Sequence, residues 1–197
     1  MINPSKITNF NQTKEELEEN IIFWILVAGK TANVIAKSLN NLLIEIKGLK
    51  SPFKALRKIN SKKMPNLLKK HGIGCYNLKA KSILQIVNSD LDLKTCSLQD
   101  LENIIGIGPK TARCFLIHSR KNANVCGLDT HVLKFLKYLG FKDVPNSTPN
   151  GKKYLKWEKE FLNHVDKTGY SVAEYDLKIW NAYSSKNQEL IQSLISF

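Results

Sequence analysis

The chain has 197 residues, of which 43% are hydrophobic and 24% are charged, a mixture typical of a globular protein and not of a disordered one. Its longest apolar run, residues 21–28, is too short to span a membrane. Thirty Lys and Arg residues against 17 Asp and Glu residues give a formal net charge of +13. This excess predicts a polyanionic partner, most simply nucleic acid.

The cysteines and the N-terminal segment bear on cofactors and compartment. Cys75, Cys96, Cys114 and Cys126 form no CxxC pair, so we expect reduced thiols and no zinc site. The first 20 residues are polar and have no apolar segment followed by a small-residue cleavage site. We therefore expect no secretory signal, no cofactor and an intracellular protein.

Apolar residues recur with a period near 3.6 along most of the chain, which predicts an all-α fold of about ten short helices. Thr13 and Glu16 form a capping-box pattern at the first of them, and Gly140 is a stop signal for another. The most obvious loop is 144–153. The predicted helices are 13–28, 33–47, two that begin near Pro52 and Pro65, 75–87, 97–106, one that begins at Pro109, one that follows Asp129, 153–167, 171–183, and 188 to the end.

The most specific stretch is 101–112, where a helix ends, two glycines turn the chain and a proline starts the next helix. Gly106 and Gly108 allow a tight turn and a close approach of the backbone to a ligand. The N–H groups after the turn, at the positive end of the new helix, suit a phosphate oxygen. Ile107 is expected to anchor the turn in the core. The alternative is a helix–turn–helix corner that binds nothing.

IIGIGPKTA at 104–112 resembles the helix-hairpin-helix of the DNA glycosylase superfamily that includes endonuclease III and 8-oxoguanine DNA glycosylase. VCGLDTHV at 125–132 resembles the Gly/Pro-rich stretch and catalytic aspartate that follow this hairpin. GCYNLKAKSI at 74–83 and FWILVAGKTA at 23–32 resemble its earlier helices. SVAEYDLKIW at 171–180 is similar to the ending of compact, archaeal-type 8-oxoguanine glycosylases.

The resemblance implies that Lys110 is the catalytic nucleophile and Asp129 the catalytic carboxylate. The first turn of a helix and partial burial both favour a neutral amine, so we expect the pKa of Lys110 to be lowered. A neutral amine can attack the sugar C1′, release the base and leave a Schiff base that allows β-elimination. Asp129 can stabilise the oxocarbenium-like sugar. The alternatives are a solvated surface lysine and an aspartate that only caps a helix.

Other positions follow from the same resemblance. We expect contacts with DNA from Gly106, Ile107, Gly108, Lys30 and Thr111, and a base pocket formed by Phe23, Trp24 and Trp180. The alternative for both tryptophans is a place in the core, where such residues are found more often than in a base pocket. His131 is expected to be structural or to contact a phosphate. Lys79, Lys81 and Lys134 could line the path of the DNA, and Lys30 could fill the gap left by the base unless that wedge comes from elsewhere. No cysteine follows Cys126, so the iron–sulfur cluster of the endonuclease III branch should be absent.

The family's architecture implies two helical lobes with a cleft between them: 13–122 as a helical barrel with the hairpin, and 1–12 with 123–197 as the second lobe. The expected function is a bifunctional DNA glycosylase/AP lyase that removes an oxidised base, preferably 8-oxoguanine, from double-stranded DNA. The alternatives are an oxidised-pyrimidine glycosylase of the endonuclease III type and a non-catalytic DNA-binding module. We expect a monomer that works in the cytoplasm at the nucleoid, or in the nucleus of a eukaryote.

Overall fold

The computed structural model describes residues 1–195, and this part of the chain is entirely helical, which confirms the predicted fold class. A 3₁₀ helix at Pro4–Lys6, absent from the sequence prediction, precedes eleven α-helices. These are α1 (Lys14–Val27), α2 (Ala32–Glu45), α3 (Pro52–Arg57), α4 (Met64–Lys70), α5 (Tyr76–Val87), α6 (Leu98–Glu102), α7 (Pro109–Ser119), α8 (Thr130–Tyr138), α9 (Gly151–Val165), α10 (Val172–Ser184) and α11 (Gln188–Ser193). From residue 1 to 195 no helix is long and apolar enough to cross a bilayer.

Side-chain caps begin five of the eleven α-helices of residues 1–195, namely α1, α6, α8, α10 and α11. At α1, Thr13 Oγ1 accepts a hydrogen bond from Glu16 N, and the Glu16 carboxylate accepts one from Thr13 N. Such a reciprocal pair satisfies two backbone donors that the first helical turn leaves free. Reciprocal pairs of the same kind begin α6, with Ser97, and α10, with Ser171.

Several predicted helix boundaries differ from the structure by one to four residues. The helix predicted to end at Gly106 stops at Glu102, because the chain turns at 103–106 and Gly106 takes a positive φ of 80°. α9 begins at Gly151 rather than Lys153. The last predicted helix ends at Ser193, and residues 196–197 lie outside the described part of the chain.

The buried apolar side chains form two clusters. The first is built from α1 to α7, and the second from α8 to α11 with Cys126 and Leu128 from the segment before α8. Ile7 packs in the first cluster, and Asn9 N donates to His118 O of α7 at 3.1 Å. These residues of the segment assigned to the second lobe therefore contact the first cluster. The lobe boundaries themselves stay a prediction.

Candidate active site

A cleft of about 1020 Å³ is lined by residues of α1, α7, α8 and α10 and of the segments beside them. It is comparable with the largest clefts that bind small molecules. Residues far apart in the sequence meet here. Of the predicted site residues, the cleft is lined by Phe23, Trp24, Lys30, Lys110, Thr111, Asp129 and Trp180. The three hairpin residues Gly106, Ile107 and Gly108 are not part of its lining.

Lys110 is the second residue of α7, after Gly108 as N-cap and Pro109. Its side chain is partly buried, and its Nζ lies 5.0 Å from the centroid of the Trp24 ring. Burial disfavours the ammonium, but Cys114, one turn further along α7, and the carboxylates of Asp129 and Asp176 outweigh it and raise the pKa of Lys110. The expectation that this pKa is lowered is wrong. The free protein holds the amine as an ammonium among acidic groups.

Asp129 is the N-cap of α8. Its Oδ1 accepts hydrogen bonds from His131 N at 2.8 Å and Val132 N at 2.9 Å. Burial raises the pKa of this carboxyl group, and the charge of Lys110 and the bond from Val132 oppose the rise only in part. A carboxylate with a raised pKa takes up a proton more readily than an exposed one. Asp129 thus shares a cleft with Lys110, and its carboxyl group takes up a proton more readily than an exposed aspartate does.

Sequence reasoning missed three connected side chains near this pair, those of Asp176, His118 and Thr8. Asp176 of α10 lines the cleft, and its Oδ2 lies 3.2 Å from Nε2 of the buried His118. The Nδ1 of His118 pairs with Thr8 Oγ1 at 2.8 Å. The DLKIW stretch that signalled a resemblance contains Asp176, but nothing local in the sequence connects it with Lys110. No local sequence pattern predicts that Thr8, in the N-terminal segment, contacts His118.

The three predicted pocket aromatics have different environments. Trp24 is 9% exposed and its ring already stacks on His118, with centroids 5.4 Å apart and planes 7° apart. Trp24 therefore packs between His118 and the amine of Lys110, and its ring is not free to stack on a base. Its buried Nε1 has no hydrogen-bond partner among the described residues. Phe23 is 1% exposed and packs edge-on against Trp24, whereas Trp180 is only partly buried.

The hairpin has the predicted turn. Gly106 has a positive φ, and a Cβ there would lie 2.4 Å from Ser82 Oγ, so the position requires glycine. Ile107 is 3% exposed and packs in the first cluster, as predicted for an anchor. Its side chain therefore lies in the core, and the contact of the hairpin with DNA stays a prediction. Gly108 is exposed, and nothing lies within 4 Å of the place a Cβ would take.

Two of the predicted basic contacts have distinct environments. Lys30 is exposed and its side chain lies across Gly74, where a Cβ would approach Lys30 Nζ to 2.6 Å. Lys79 is buried, and its Nζ donates to Leu26 O at 2.6 Å and Ala28 O at 3.2 Å. Burial lowers the pKa of Lys79. The prediction that Lys79 lines the DNA path is wrong, because its amine caps the end of α1.

Further predicted groups can be placed as well. His131, which lines the cleft, tilts against the Tyr183 ring with centroids 5.9 Å apart. Lys134 is exposed at the cleft. Within residues 1–195, no group of three or more His, Cys, Asp or Glu side chains is arranged to hold a metal ion.

A family model described as 8-oxoguanine DNA glycosylase matches residues 3–170. The fold is similar to that of the 8-oxoguanine glycosylase/lyase of Methanocaldococcus jannaschii in complex with DNA containing 8-oxoguanine, with 23% identity, a TM-score of 0.70, and coverage of 92% of this chain and 87% of that one. The 8-oxoguanine DNA glycosylase of Thermotoga maritima gives 24% identity and a TM-score of 0.65, with 90% and 85% covered. The family model spans most of the sequence, and the chain therefore belongs to the 8-oxoguanine DNA glycosylase family.

Proposed function

We propose that this protein removes 8-oxoguanine from double-stranded DNA and then cuts the strand at the abasic site through a Schiff base on Lys110. The observation that carries the proposal is the meeting of an amine and a carboxylate in one cleft, Lys110 from α7 and Asp129 from α8. Membership of the 8-oxoguanine DNA glycosylase family supports 8-oxoguanine as the base that is removed, and the net charge of +13 supports DNA as the substrate.

The first chemical requirement is a neutral amine. Transfer of the Lys110 proton to Asp129 works against the raised pKa of Lys110, and the raised pKa of Asp129 reduces that cost. The lone pair of Nζ attacks C1′ as the glycosidic bond breaks, and the base leaves with the bonding electrons and takes up the proton that Asp129 received, which restores the Asp129 carboxylate. The positive charge that develops on the sugar is stabilised by the acidic side chains at the cleft. Asp129 and Asp176 are the carboxylates available there.

Strand cleavage follows from the covalent intermediate. Opening of the sugar ring gives an imine between Nζ and C1′, which makes the C2′ proton acidic. Loss of that proton expels the 3′ phosphate and leaves an unsaturated sugar on Lys110. Water then hydrolyses the imine and regenerates the amine. These steps require no metal or redox partner.

The pocket suits a flipped purine. Base-flipping enzymes read an extruded base with apolar walls and a few polar groups. The cleft offers the partly buried Trp180 as a stacking surface. Lys30 and Lys134 are exposed at its margin, where phosphates of the DNA would pass. We place the enzyme where its substrate is, at the nucleoid in the cytoplasm or in a nucleus.

Borohydride trapping on duplexes with a single lesion tests the proposal. The wild type should form a covalent adduct with 8-oxoguanine DNA, and Lys110→Gln should form none. Lys134→Gln is the matched control, because it removes one charge from the same cleft; it should still trap at saturating enzyme, even if it binds DNA more weakly. Equal trapping by Lys110→Gln would refute the nucleophile. Duplexes with thymine glycol or uracil test the lesion, and faster excision of thymine glycol would assign the oxidised-pyrimidine activity instead.

A further inference from the structure

The segment that delivers Asp129 is fixed by side chains and not by regular secondary structure. The hydroxyl of Tyr154 in α9 donates to Cys126 O at 2.6 Å and accepts from Leu128 N at 3.0 Å. One buried oxygen therefore fixes the backbone on both sides of Gly127. Cys126 N donates to Glu158 Oε1, also in α9, at 2.8 Å. The backbone of this segment thus takes its position from α9.

The same two side chains of α9 contact the helix that carries Lys110. Arg113 lies one turn after Lys110 in α7, and its Nε donates to Glu158 Oε1 at 2.7 Å. Its guanidinium stands 4.6 Å from the centroid of the Tyr154 ring. Arg113 and Glu158 are both buried. Separating the two charges would leave each without a partner in the interior, which is strongly destabilising, so the pair keeps its geometry. Glu158 Oε1 therefore joins α7 to the segment before Asp129.

The segment also touches α7 directly. A Cβ on Gly127 would lie 2.2 Å from Cys114 Sγ and 3.4 Å from Lys110 O. There is no space into which the segment can move towards α7, and the Tyr154 and Glu158 hydrogen bonds oppose movement away from it. Asp129 follows this fixed point by two residues, so its carboxylate takes its distance from Lys110 from these contacts.

We propose that Tyr154 is a positioning residue for base excision, which, with Glu158, sets the position of the Asp129 carboxylate against Lys110. The inference rests on the proposed function, since it takes Asp129 as the carboxylate that serves Lys110. Tyr154 is itself 1% exposed and does not line the cleft, so it acts only through the segment that it holds.

Tyr154→Phe is the appropriate perturbation. It removes both hydrogen bonds to the segment and retains the ring beside Arg113. We expect single-turnover excision at saturating enzyme to slow by about tenfold or more, because small misplacement of a catalytic group is costly, while the dissociation constant for DNA stays unchanged. Tyr175→Phe is the matched control: it also removes the hydroxyl of a buried tyrosine of the second cluster, but one that bonds to Leu194 O and His164 Nε2. It should lower thermal stability without slowing excision.

A double-mutant cycle with Asp129→Asn separates positioning from general stability. If Tyr154 acts through the Asp129 carboxylate, Tyr154→Phe should have little further effect once the carboxylate is gone. An undiminished effect in the Asp129→Asn background, or normal excision by Tyr154→Phe, overturns the inference while leaving the function intact. A wild type without Lys110-dependent trapping overturns the function itself.

Thr148→Val provides the test if Tyr154→Phe does not fold. Thr148 is exposed at the cleft and its Oγ1 donates to Leu128 O at 2.8 Å, so the substitution loosens the same segment without a buried vacancy. Because Thr148 lines the cleft, only its coupling with Asp129→Asn separates positioning from a direct contact with DNA. Excision should slow, and the slowing should again vanish in the Asp129→Asn background. Slowing that is additive with Asp129→Asn overturns the inference.

Discussion

Asp129 has two separable roles, and two substitutions distinguish them. As N-cap of α8, its Oδ1 accepts from two backbone N–H groups. As the acidic partner of Lys110, it supplies a carboxylate to the cleft. Asn keeps a side-chain oxygen for the cap and loses the charge, whereas Ala loses both. The comparison of Asp129→Asn with Asp129→Ala therefore isolates the charge.

The magnitudes follow from the contacts. Loss of the cap in Asp129→Ala should cost about 1 kcal/mol of stability. Asn is an equally good cap, so that term is absent from Asp129→Asn. Burial raises the pKa of Asp129 in the folded protein. Above that pKa the ionised carboxylate destabilises the fold, and below the pKa that Asp129 has in the unfolded chain this destabilisation is absent. At neutral pH, Asp129→Asn should thus be at least as stable as the wild type.

Excision should respond differently from stability. Loss of an electrostatic stabiliser costs about 2–4 kcal/mol of barrier, which is roughly 30-fold to 1,000-fold in rate. Denaturant unfolding at neutral pH gives the stability, and single-turnover release of 8-oxoguanine with enzyme in excess gives the rate. Normal turnover by Asp129→Asn would refute the catalytic role. Slow turnover that appears only with Ala, together with its loss of stability, would reduce Asp129 to a helix cap.

Two further predictions concern the hairpin and the buried ion pairs. Gly106→Ala should lose at least about 1–2 kcal/mol of stability, since it forces a side chain into a left-handed conformation beside Ser82. Gly108→Ala should fold normally, because nothing lies near the added methyl group, but it should bind DNA more weakly, because the methyl group would hold a phosphate away from the turn. Normal affinity in a fluorescence-anisotropy titration would exclude a close phosphate at Gly108. Arg113→Met should cost about 3–5 kcal/mol in denaturant unfolding, because it leaves the buried Glu158 without its cation, and a cost below about 1 kcal/mol would contradict that account.

The helices were predictable because their signals are local. A capping box such as that of Thr13 and Glu16 lies within four consecutive residues, and Pro109 marks a start by its own ring geometry. The errors lie where the chain's path depends on distant contacts. The turn at 103–106 is set partly by Gln85, whose side chain accepts from Ile105 N at 2.8 Å. The packing of Ile7 on the first cluster has no local signal at all.

The site was predictable only as far as its motifs reach. Lys110 and Asp129 lie in two adjacent motifs and were found through them. Asp176 and His118 meet through the packing of α10 on α7, which the sequence does not display. The same limit explains the wrong sign for the pKa of Lys110. Helix position and burial can be read from sequence, but the carboxylates of Asp129 and Asp176, which help to outweigh them, reach the site from the start of α8 and from α10.

An ammonium at Lys110 makes the pH dependence a direct consequence of the site. Because the pKa of Lys110 is raised, the neutral amine is a small fraction at neutral pH, and Schiff-base formation should speed up as the pH rises from neutral towards that pKa. A preformed abasic site isolates this step from base release. Asp129 contributes to the rise, so Asp129→Asn should move the profile to lower pH even as it slows base excision. A wild-type trapping rate that is flat above neutral pH would mean that the amine is already neutral, and the acidic neighbours would then not govern the nucleophile.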